Sequence, residues 1–397
     1  IIMANRNGGF IGTDGLDAPD PPTAVTPTGG NASVSVAFTA PTDTGTSAIT
    51  GFVAQVSTDG TNYSAGSNTG SSSPIVVSSL TNGTAATAKV WAINAYGTSA
   101  PSDASASFTP ALAQTAIIMT SSGYQVNTIN IATTGNGSTF GGAGNQKQAG
   151  AGASSTRAVF GGGPSASDTI SYYTFASASD HTDFGDLTEG RTGTGAGSSN
   201  TRCLFMGGYT SSTSDTVDYI TIANTGAASD FGDLSPAASE FRGTSNSVRA
   251  LGVAGTASNG AKLNNIQYFT IASTGDSTDF GDRTVTGAQV GSAANKTRAL
   301  MAARDVTSNV VDYVTIASTG NAQDFGDLTG NKLGCVSTAG LTRAVFCGGL
   351  EGSASQEIDY FTIASTGNAT DFGDLGSNAV DSGATCSAHG GSSVGNA

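Results

Sequence analysis

Short runs of alternating apolar and polar residues recur along most of this chain. In the run Asp218-Tyr219-Ile220-Thr221-Ile222-Ala223, the two isoleucines alternate with Tyr219, Thr221 and Ala223, a period of two that predicts a β-strand. Clusters of Ser, Thr, Gly and Asn separate such runs and predict turns. The pattern therefore predicts an all-β chain of short strands.

These strands belong to a repeat whose copies are 44 to 49 residues apart. Each copy holds four candidate strands: an Arg-apolar-Gly-Gly run, a Tyr-x-Thr-Ile-Ala run, a Phe-Gly-Asp-Leu run, and a run of small residues such as 192–197. Four short strands in a unit of this length are typical of a propeller blade, and one blade alone cannot bury both its faces. The motif phenylalanines are Phe140, Phe184, Phe231, Phe280, Phe325 and Phe372. Six copies predict a six-bladed β-propeller over residues 112–397.

The order of features in the repeat resembles that of kelch repeats. In that family a Gly-Gly doublet ends one strand, a Tyr follows in the next, an aromatic residue comes later, and an Arg opens the next unit. Here the later aromatic is Phe where kelch units favour Trp, and two copies change the doublet to Ala254-Gly255 and Ala302-Ala303. The resemblance implies a kelch-like propeller. The rival all-β repeats are a trimeric fibre and a β-helix, and the repeat is long for a β-helix coil.

Residues 21–110 predict a separate β-sandwich domain, because several short strands follow one another there between prolines and turns. The segments 80–84 (Leu-x-x-Gly-Thr) and 90–99 (Val-x-Ala-x-Asn-x-x-Gly-x-Ser) resemble those of a fibronectin type III domain. Phe38 occupies the place of the usual core Trp, and Ala86 the place of the usual tyrosine corner. The resemblance implies a fibronectin type III-like β-sandwich ahead of the propeller.

Residues 1–20 are too polar and glycine-rich to form a domain, which predicts an attachment or linker segment. Their run Gly-Gly-Phe-Ile-Gly-Thr-Asp-Gly at 8–15, followed by a proline-rich entry to the next domain, resembles virion proteins of tailed bacteriophages, including those of cyanobacteria. That resemblance implies a fibre or decoration protein on the virion surface, made in the host cytoplasm and contacting other virion proteins through residues 1–20.

Composition narrows the classes of partner. Only 11% of the residues are charged, 56 are glycine, and the net charge is −14, so the chain is expected to bind neither a nucleic-acid backbone nor an anionic membrane. No apolar run has the length of a signal peptide or a membrane span, which predicts no membrane insertion. The four cysteines do not have the spacing of metal ligands, so we expect them to be free thiols in the core: Cys203, Cys335, Cys347 and Cys386.

The Asp-Phe-Gly tripeptide matches the magnesium-binding motif of protein kinases, but it occurs five times and no glycine-rich nucleotide loop accompanies it, which excludes that class. We expect Phe184, Phe231, Phe280, Phe325 and Phe372 to pack between blades and the aspartates to cap backbone amides in turns. No cofactor is expected. A calcium ring is the alternative, because oxygen ligands at repeated positions suit that ion. The first copy, Thr139-Phe140-Gly141-Gly142, lacks both carboxylates and would break such a ring.

Five of the 15 basic residues are arginines that open the same strand of successive copies: Arg157, Arg202, Arg249, Arg298 and Arg343. We expect each guanidinium to bond a repeat carboxylate or a strand-end carbonyl in its own or the adjacent blade. The alternative is a ring of ligand-facing arginines near the axis. In the first copy Thr115 stands near the equivalent position.

Catalytic groups are scarce. The only histidines, His181 and His389, belong to no nucleophile–base or metal pattern, so no enzyme activity is predicted. A carboxylate pair of a glycan-active enzyme stays open as a third option, since the chain has 29 acidic residues.

The loops after the Gly-Gly doublets differ between copies, and a rigid frame with divergent loops is typical of a binding surface. Their candidate ligand residues are Tyr209, Arg304, Asp305 and Glu351. The favoured function is a non-enzymatic bacteriophage appendage (fibre, tail-tip component or head decoration) that contacts host-surface polysaccharide through these loops. A decoration without a ligand and a bacterial surface adhesin are the alternatives, and a homo-oligomer stays open.

Overall fold

The computed structural model describes residues 17–30, 32–82, 84–110, 114–121, 125–142, 147–302 and 308–388. Every regular element among these residues is a β-strand, which confirms the all-β expectation. Within these ranges no helix is long and apolar enough to cross a membrane. The chain divides into two units, Ile1–Ala113 and Gln114–Ala397.

The first unit is a β-sandwich of two antiparallel sheets. Its strands are β1 (Thr23–Gly30), β2 (Ser33–Thr39), β3 (Ile49–Ser57), β4 (Gly66–Gly70), β5 (Ile75–Ser78), β6 (Thr87–Asn94) and β7 (Gly97–Thr98). One sheet has the order β1-β2-β5 and the other β4-β3-β6-β7. Alternate residues of β2 and β6 are buried, so each strand turns one face toward the core between the sheets. The predicted β-sandwich is confirmed.

Aromatic packing fills the centre of this sandwich. The rings of Phe38 and Phe52 are tilted against each other with centroids 4.8 Å apart, so Phe38 takes the core position that the sequence assigned to it. Ala86 is buried as well, and its backbone forms an antiparallel bridge with Phe108. This bridge ties the corner of the sandwich by main-chain bonds.

The second unit is a propeller of six four-stranded antiparallel sheets, as the repeat predicted. Blade 1 contains β8 (Thr115–Met119), β9 (Gln125–Asn130), β10 (Ser138–Gly142) and β33 (Ala384–Cys386). Blade 2 contains β11 (Gly150–Ala153), β12 (Arg157–Gly161), β13 (Thr169–Thr174) and β14 (Thr182–Asp186). Blade 3 contains β15 (Gly195–Ser198), β16 (Arg202–Tyr209), β17 (Thr213–Thr221) and β18 (Ser229–Asp233).

Blade 4 contains β19 (Arg242–Ser245), β20 (Arg249–Val253), β21 (Leu263–Thr270) and β22 (Thr278–Gly287). Blade 5 contains β23 (Ser292–Ala294), β24 (Arg298–Ala302), β25 (Val310–Thr315) and β26 (Gln323–Asp327). Blade 6 contains β27 (Val336–Ala339), β28 (Arg343–Cys347), β31 (Glu357–Thr362) and β32 (Thr370–Asp374). A hairpin of β29 (Leu350–Glu351) and β30 (Ser353–Ala354) lies between the middle strands of blade 6.

The small-residue strand of each repeat is the innermost strand of its blade. These inner strands contact one another in the cyclic order β11, β15, β19, β23, β27 and β33, which closes the ring. In blade 1 the inner strand comes from the other end of the unit, because β33 pairs antiparallel with β8. Glycine, alanine and serine dominate these strands, since six of them must converge on one axis with little room for side chains.

The antiparallel order gives the propeller two different faces. Strands alternate in direction, so the loops joining a blade's second and third strands lie at the same end as the connections that lead from an outer strand to the next inner strand. We call this end the loop face. The other end, which carries the turns between the first and second strands and the loops between the third and fourth, is the turn face.

Close packing between blades explains why Phe and Gly recur as a pair. Phe231 is 2% exposed and belongs to a core cluster formed by blades 3 and 4. Gly232 has φ +146°, and a Cβ there would lie 2.4 Å from the carbonyl oxygen of Gly275 in the next blade. The Gly275 N–H in turn donates to the Phe231 carbonyl at 2.8 Å. The pair thus joins neighbouring blades by an aromatic wedge and a main-chain bond.

Candidate ligand-binding face of the propeller

Those divergent loops that the structure describes lie together on the loop face. Tyr209 ends β16 and is 45% exposed, and Glu351 ends β29 in the hairpin of blade 6 and is exposed. The other two candidate ligand residues, Arg304 and Asp305, lie outside the described residues. The described candidates therefore share one face of the propeller.

A ring of six equivalent residues surrounds the axis on this same face. Each precedes the inner strand of its blade, and each has a positive φ between 48° and 66°. The six residues are Gln148, Gly193, Glu240, Gln289, Gly334 and Asp381. Main-chain bonds link neighbours around the ring: Gln148 N–H donates to the Asp381 carbonyl at 2.9 Å, Gly193 N–H to Gln148 at 3.0 Å, and Asp381 N–H to Gly334 at 2.9 Å.

Four members of this ring hold a left-handed conformation that favours glycine. A residue with a Cβ is destabilised there by about 1–2 kcal/mol, and glycine, which occupies two of the six places, is not. All four of the others carry an amide or a carboxylate. Strained residues of this kind cluster at binding and catalytic sites, where the side chain is kept in spite of the cost.

The ring side chains already form a hydrogen-bond network. Glu240 accepts bonds from the Gln289 amide at 3.0 Å, the Thr256 hydroxyl at 2.9 Å and the Lys262 ammonium at 3.1 Å. Gln148 accepts a bond from the Thr192 hydroxyl at 2.8 Å, next to the backbone bridge between Thr192 and Tyr209. These bonds fix the orientation of the polar groups before any ligand arrives.

One polar group in this network, the carbonyl oxygen of Gln289, has no hydrogen-bond partner among the described residues. Gln289 is 6% exposed, and its carbonyl oxygen accepts no hydrogen bond within the described part of the chain. A buried acceptor without a donor costs about 1–3 kcal/mol, so the oxygen marks a place where a donor is missing.

The axis beneath the ring is nearly closed. Its cavity has a volume of about 30 Å³ and is lined mainly by small residues of the inner strands, with Arg242 beside it. Arg242 forms an ion pair with Asp381 of the ring, at 3.7 Å. A cavity of this size holds about one water molecule. A ligand larger than water therefore does not fit within the axis.

The repeat arginines lie elsewhere, toward the turn face. Each stacks on the tyrosine of its own blade, with the guanidinium carbon 4.5–4.9 Å from the ring centroid. Each also donates to main-chain carbonyls that follow the third strand of the next blade, as Arg202 does to Ile271 at 3.2 Å and Ala272 at 3.0 Å. The equivalent donors are Arg157, Arg249, Arg298 and Arg343. The structure places them as interblade latches, away from the axis.

The repeat phenylalanines complete these latches. In every blade that has the arginine, the tyrosine makes an edge-to-face contact with the phenylalanine of the outer strand, with centroids 5.5–6.0 Å apart. The phenylalanines involved are Phe184, Phe231, Phe280, Phe325 and Phe372, which are all 2–3% exposed. An arginine, a tyrosine and a phenylalanine thus form one stack at five of the six junctions.

The Phe-Gly-Asp-Leu run was predicted as a strand, which is confirmed, whereas the expectation that the Asp-Phe-Gly-Asp motif lies in turns is wrong. The motif forms the outer strand of blades 2 to 6, and its first aspartate is exposed in all five copies. A backbone amide capped by such an aspartate occurs at Gly373, whose N–H donates to Asp371 at 3.0 Å. The described residues contain no cluster of His, Cys, Asp or Glu that could hold a metal ion, so they offer no site for the alternative calcium ring.

Sequence reasoning missed a set of buried cations near the loop face. Arg191 pairs with Asp218, Arg283 with Asp312 at 3.1 Å, and Lys332 with Asp359 at 2.9 Å. Both members of each pair have fully buried side chains, and each aspartate comes from the blade that follows its partner cation in the chain. A threonine hydroxyl bonds the same carboxylate in all three: Thr188, Thr284 and Thr329.

Burial and pairing act in opposite directions on these groups. Burial lowers the pKa of Arg191 and raises the pKa of Asp218, although their mutual attraction opposes both shifts. For Lys332, burial disfavours the charge, but Asp359 and Glu357 outweigh it and raise the pKa of the ammonium. The four cysteines are free and buried, and burial raises the pKa of Cys335 and Cys386 to about 12. These charged pairs and thiols are buried and present no exposed side chain to a ligand.

Comparison with known proteins supports the fold. No protein-family model matches the chain. No curated protein matches it either. Among solved structures, that of YjhT is similar, with a TM-score of 0.52 over 61% of this chain and 88% of that chain, at 9% sequence identity. Likeness at this identity shows the fold alone, and the β-propeller expected from the repeat is confirmed.

Proposed function

We propose that this protein is a non-enzymatic binding protein of a bacteriophage particle, a fibre, tail-tip component or head decoration, whose loop face contacts host-surface polysaccharide. In this proposal residues 1–20 attach it to other virion proteins, and the fibronectin type III-like sandwich acts as a spacer. The support for the virion setting is the resemblance of the N-terminal sequence. The support for ligand binding is the chemistry of the loop face.

The observation that carries the binding proposal is the strained polar ring. Four of the six ring positions hold an amide or a carboxylate in a strained conformation: Gln148, Glu240, Gln289 and Asp381. Gly193 and Gly334 show that glycine fills the same position without strain. Natural selection would keep the polar side chains in spite of the strain if they bind a ligand.

The chemistry of this face suits a carbohydrate. Amides and carboxylates both pair with sugar hydroxyls, and the exposed ring of Tyr209 beside Thr192 offers an apolar surface for a sugar ring. Because the axis is filled, the ligand lies across the face, as a polysaccharide chain does. A net charge of −14 favours a neutral polysaccharide over an acidic one.

The test is binding of the purified full chain to host cells and to an array of their surface polysaccharides. We expect saturable binding that Tyr209→Ala weakens about tenfold, since an aromatic platform contributes on the order of 1–2 kcal/mol. The matched control is Tyr96→Ala, which removes a tyrosine of similar exposure (50% against 45%) from the sandwich unit. Equal effects of the two substitutions, or no binding where intact particles adsorb, would overturn the proposal in favour of a passive decoration.

A second variant separates binding from folding. Gln148→Gly removes a strain of about 1–2 kcal/mol and a hydrogen bond to Thr192 of about 1 kcal/mol, and it gives the unfolded chain more freedom. These effects nearly cancel, so the melting temperature should stay almost unchanged while polysaccharide binding falls. A large loss of stability with unchanged binding would show that Gln148 serves the fold.

A further inference from the structure

The junction between blades 1 and 2 lacks the latch that the other five junctions share. In blade 1, Thr115 takes the place of the arginine and Thr128 the place of the tyrosine, as strand register shows. Thr115 opens β8, as Arg157 opens β12, and Thr128 lies opposite Ile117, as Tyr172 lies opposite Val159. Only the phenylalanine of the stack, Phe140, is kept.

Replacing two large side chains by threonines leaves an open groove of about 450 Å³. Thr115, Thr128 and Phe140 line it, and Ala178 lines it from blade 2. The remaining lining residues are Ile129, Asn130, Asn136, Ser138 and Thr139. The groove thus occupies the place where an arginine and a tyrosine stack in the other blades.

The acceptors of the missing arginine are still present. At the other junctions the guanidinium bonds carbonyls that follow the third strand of the next blade, such as Ile222 and Ala223 after β17. The corresponding residues after β13 are Phe175 and Ala176. Within the described ranges no donor is bonded to either carbonyl.

We propose that this groove is a docking site for an arginine side chain supplied by a partner protein. At the five other junctions the corresponding place holds a guanidinium group, which bonds the same main-chain carbonyls and also stacks on a tyrosine. In the copies a single guanidinium nitrogen, Nη1, donates to the adjacent carbonyls while the planar group lies against the tyrosine ring, a geometry that suits a flat cation. The groove is large enough for an aromatic residue beside the arginine, and the negative net charge of −14 favours a basic partner segment.

The position of the groove leaves the loop face free. Thr115 begins a second strand and Ala178 follows a third strand, so both lie toward the turn face. A partner docked there holds the propeller from the side opposite the polar ring. The site is therefore independent of the proposed polysaccharide contact, and either can fail without the other.

The experiment uses the full chain and N-acetyl-arginine methylamide as the probe, with binding followed by NMR shifts of the Phe140 and Ala178 signals, which line the groove and are kept in every variant. We expect saturable shifts, and at least about tenfold weaker binding of the neutral isostere N-acetyl-citrulline methylamide, because its hydrogen bonds lack a charge. The double variant Thr115→Arg/Thr128→Tyr fills the groove with the side chains of the other blades and should abolish these shifts. Thr128→Tyr alone restores the tyrosine on which the guanidinium stacks in the other blades and should strengthen binding of the probe.

A positive control tests whether the assay detects binding of the probe at an emptied arginine position of the repeat. Arg202→Ala vacates the equivalent place between blades 3 and 4, where Tyr219 remains, and should add a second binding site for the probe. If this variant gains a site while the natural groove shows no saturable shift, the proposal is wrong. Equal binding of arginine and citrulline, or unchanged binding by the filled variant, would overturn it as well.

Discussion

The buried pair of Lys332 and Asp359 offers a sharp test of how the blades are held together. The ammonium lies 2.9 Å from the Asp359 carboxylate and 3.0 Å from Glu357, and both Lys332 and Asp359 have no exposed side-chain surface. Lys332→Met keeps much of the side-chain volume and removes the charge. It leaves a buried carboxylate that retains only the N–H and hydroxyl of Thr329 as donors among its described partners.

Breaking a buried ion pair from one side costs about 3–5 kcal/mol, because the other charge stays buried without compensation. At about 2 °C per kcal/mol for a unit of this size, the propeller transition should fall by about 6–10 °C. Adding Asp359→Asn should recover most of this loss. The chain already uses neutral groups at the equivalent places, since Asn127 in blade 1 accepts a bond from the Gly376 N–H and Gln267 in blade 4 accepts one from Ser235.

The assay benefits from the single tryptophan of the chain. Trp91 lies in β6 of the sandwich, so its fluorescence reports the first unit and serves as an internal control. The propeller transition is followed by calorimetry and far-ultraviolet circular dichroism. We expect the tryptophan transition to stay in place while the other shifts. A double variant as unstable as Lys332→Met, or a single variant as stable as the natural chain, would refute the reasoning.

The same pair has a defined pH dependence. The folded state raises the pKa of Lys332 above its unfolded value of about 10.4, so its stabilising effect is complete below that pH. As the pH rises through the folded pKa, the ammonium loses its proton and the effect disappears. The stability difference between the natural chain and Lys332→Met should therefore be constant at neutral pH and shrink above about pH 10.4. A difference that grows with alkaline pH would contradict this.

Three further predictions address the repeat and the core. Arg202→Ala should destabilise the propeller by about 2–3 kcal/mol through loss of two charged hydrogen bonds and the stack on Tyr219, and a denaturation midpoint equal to that of the natural chain would contradict it. Gly232→Ala should cost more than Gly226→Ala, because both have a positive φ but only the first meets a backbone carbonyl, at 2.4 Å; calorimetry of the pair checks this. The four buried thiols should react with a thiol reagent only when the propeller unfolds, and fast labelling of the native chain would show that they are accessible.

The repeat made the architecture predictable, but not the way the ring closes. Phe-Gly spacing and the two-residue alternation were enough to predict six blades of four strands. The closing strand β33 reads Ala384-Thr385-Cys386 and has no apolar alternation. Its identity as the inner strand of blade 1 follows only from its pairing with β8 far away in the chain.

The polar ring was hidden for a different reason. Gln148, Glu240, Gln289 and Asp381 look like ordinary turn residues when each copy is read alone. A signal was present: alignment of the copies by their inner strands puts these residues in the column that contains Gly193 and Gly334. A position that holds glycine in some copies indicates a left-handed backbone conformation. Polar residues at that position in the other copies indicate that their side chains are kept for a function. The buried aspartates were hidden because nothing in the sequence marks them as buried. Asp218, for example, stands next to Tyr219, which is partly exposed.

Blade 1 shows how the fold tolerates a junction without a latch. Tyr173, in the third strand of blade 2, is 1% exposed and donates its hydroxyl to the Gly142 carbonyl of blade 1 at 3.1 Å. The corresponding residues of the other blades, such as Ile220 and Phe269, have no hydroxyl. Asp180 of blade 2 also accepts a bond from the Gly142 N–H at 2.7 Å. These bonds join the two blades beside the outer strand and leave the groove between Thr115 and Ala178 open. Because the junction is held without the stack, the groove is free to receive a side chain from outside the propeller.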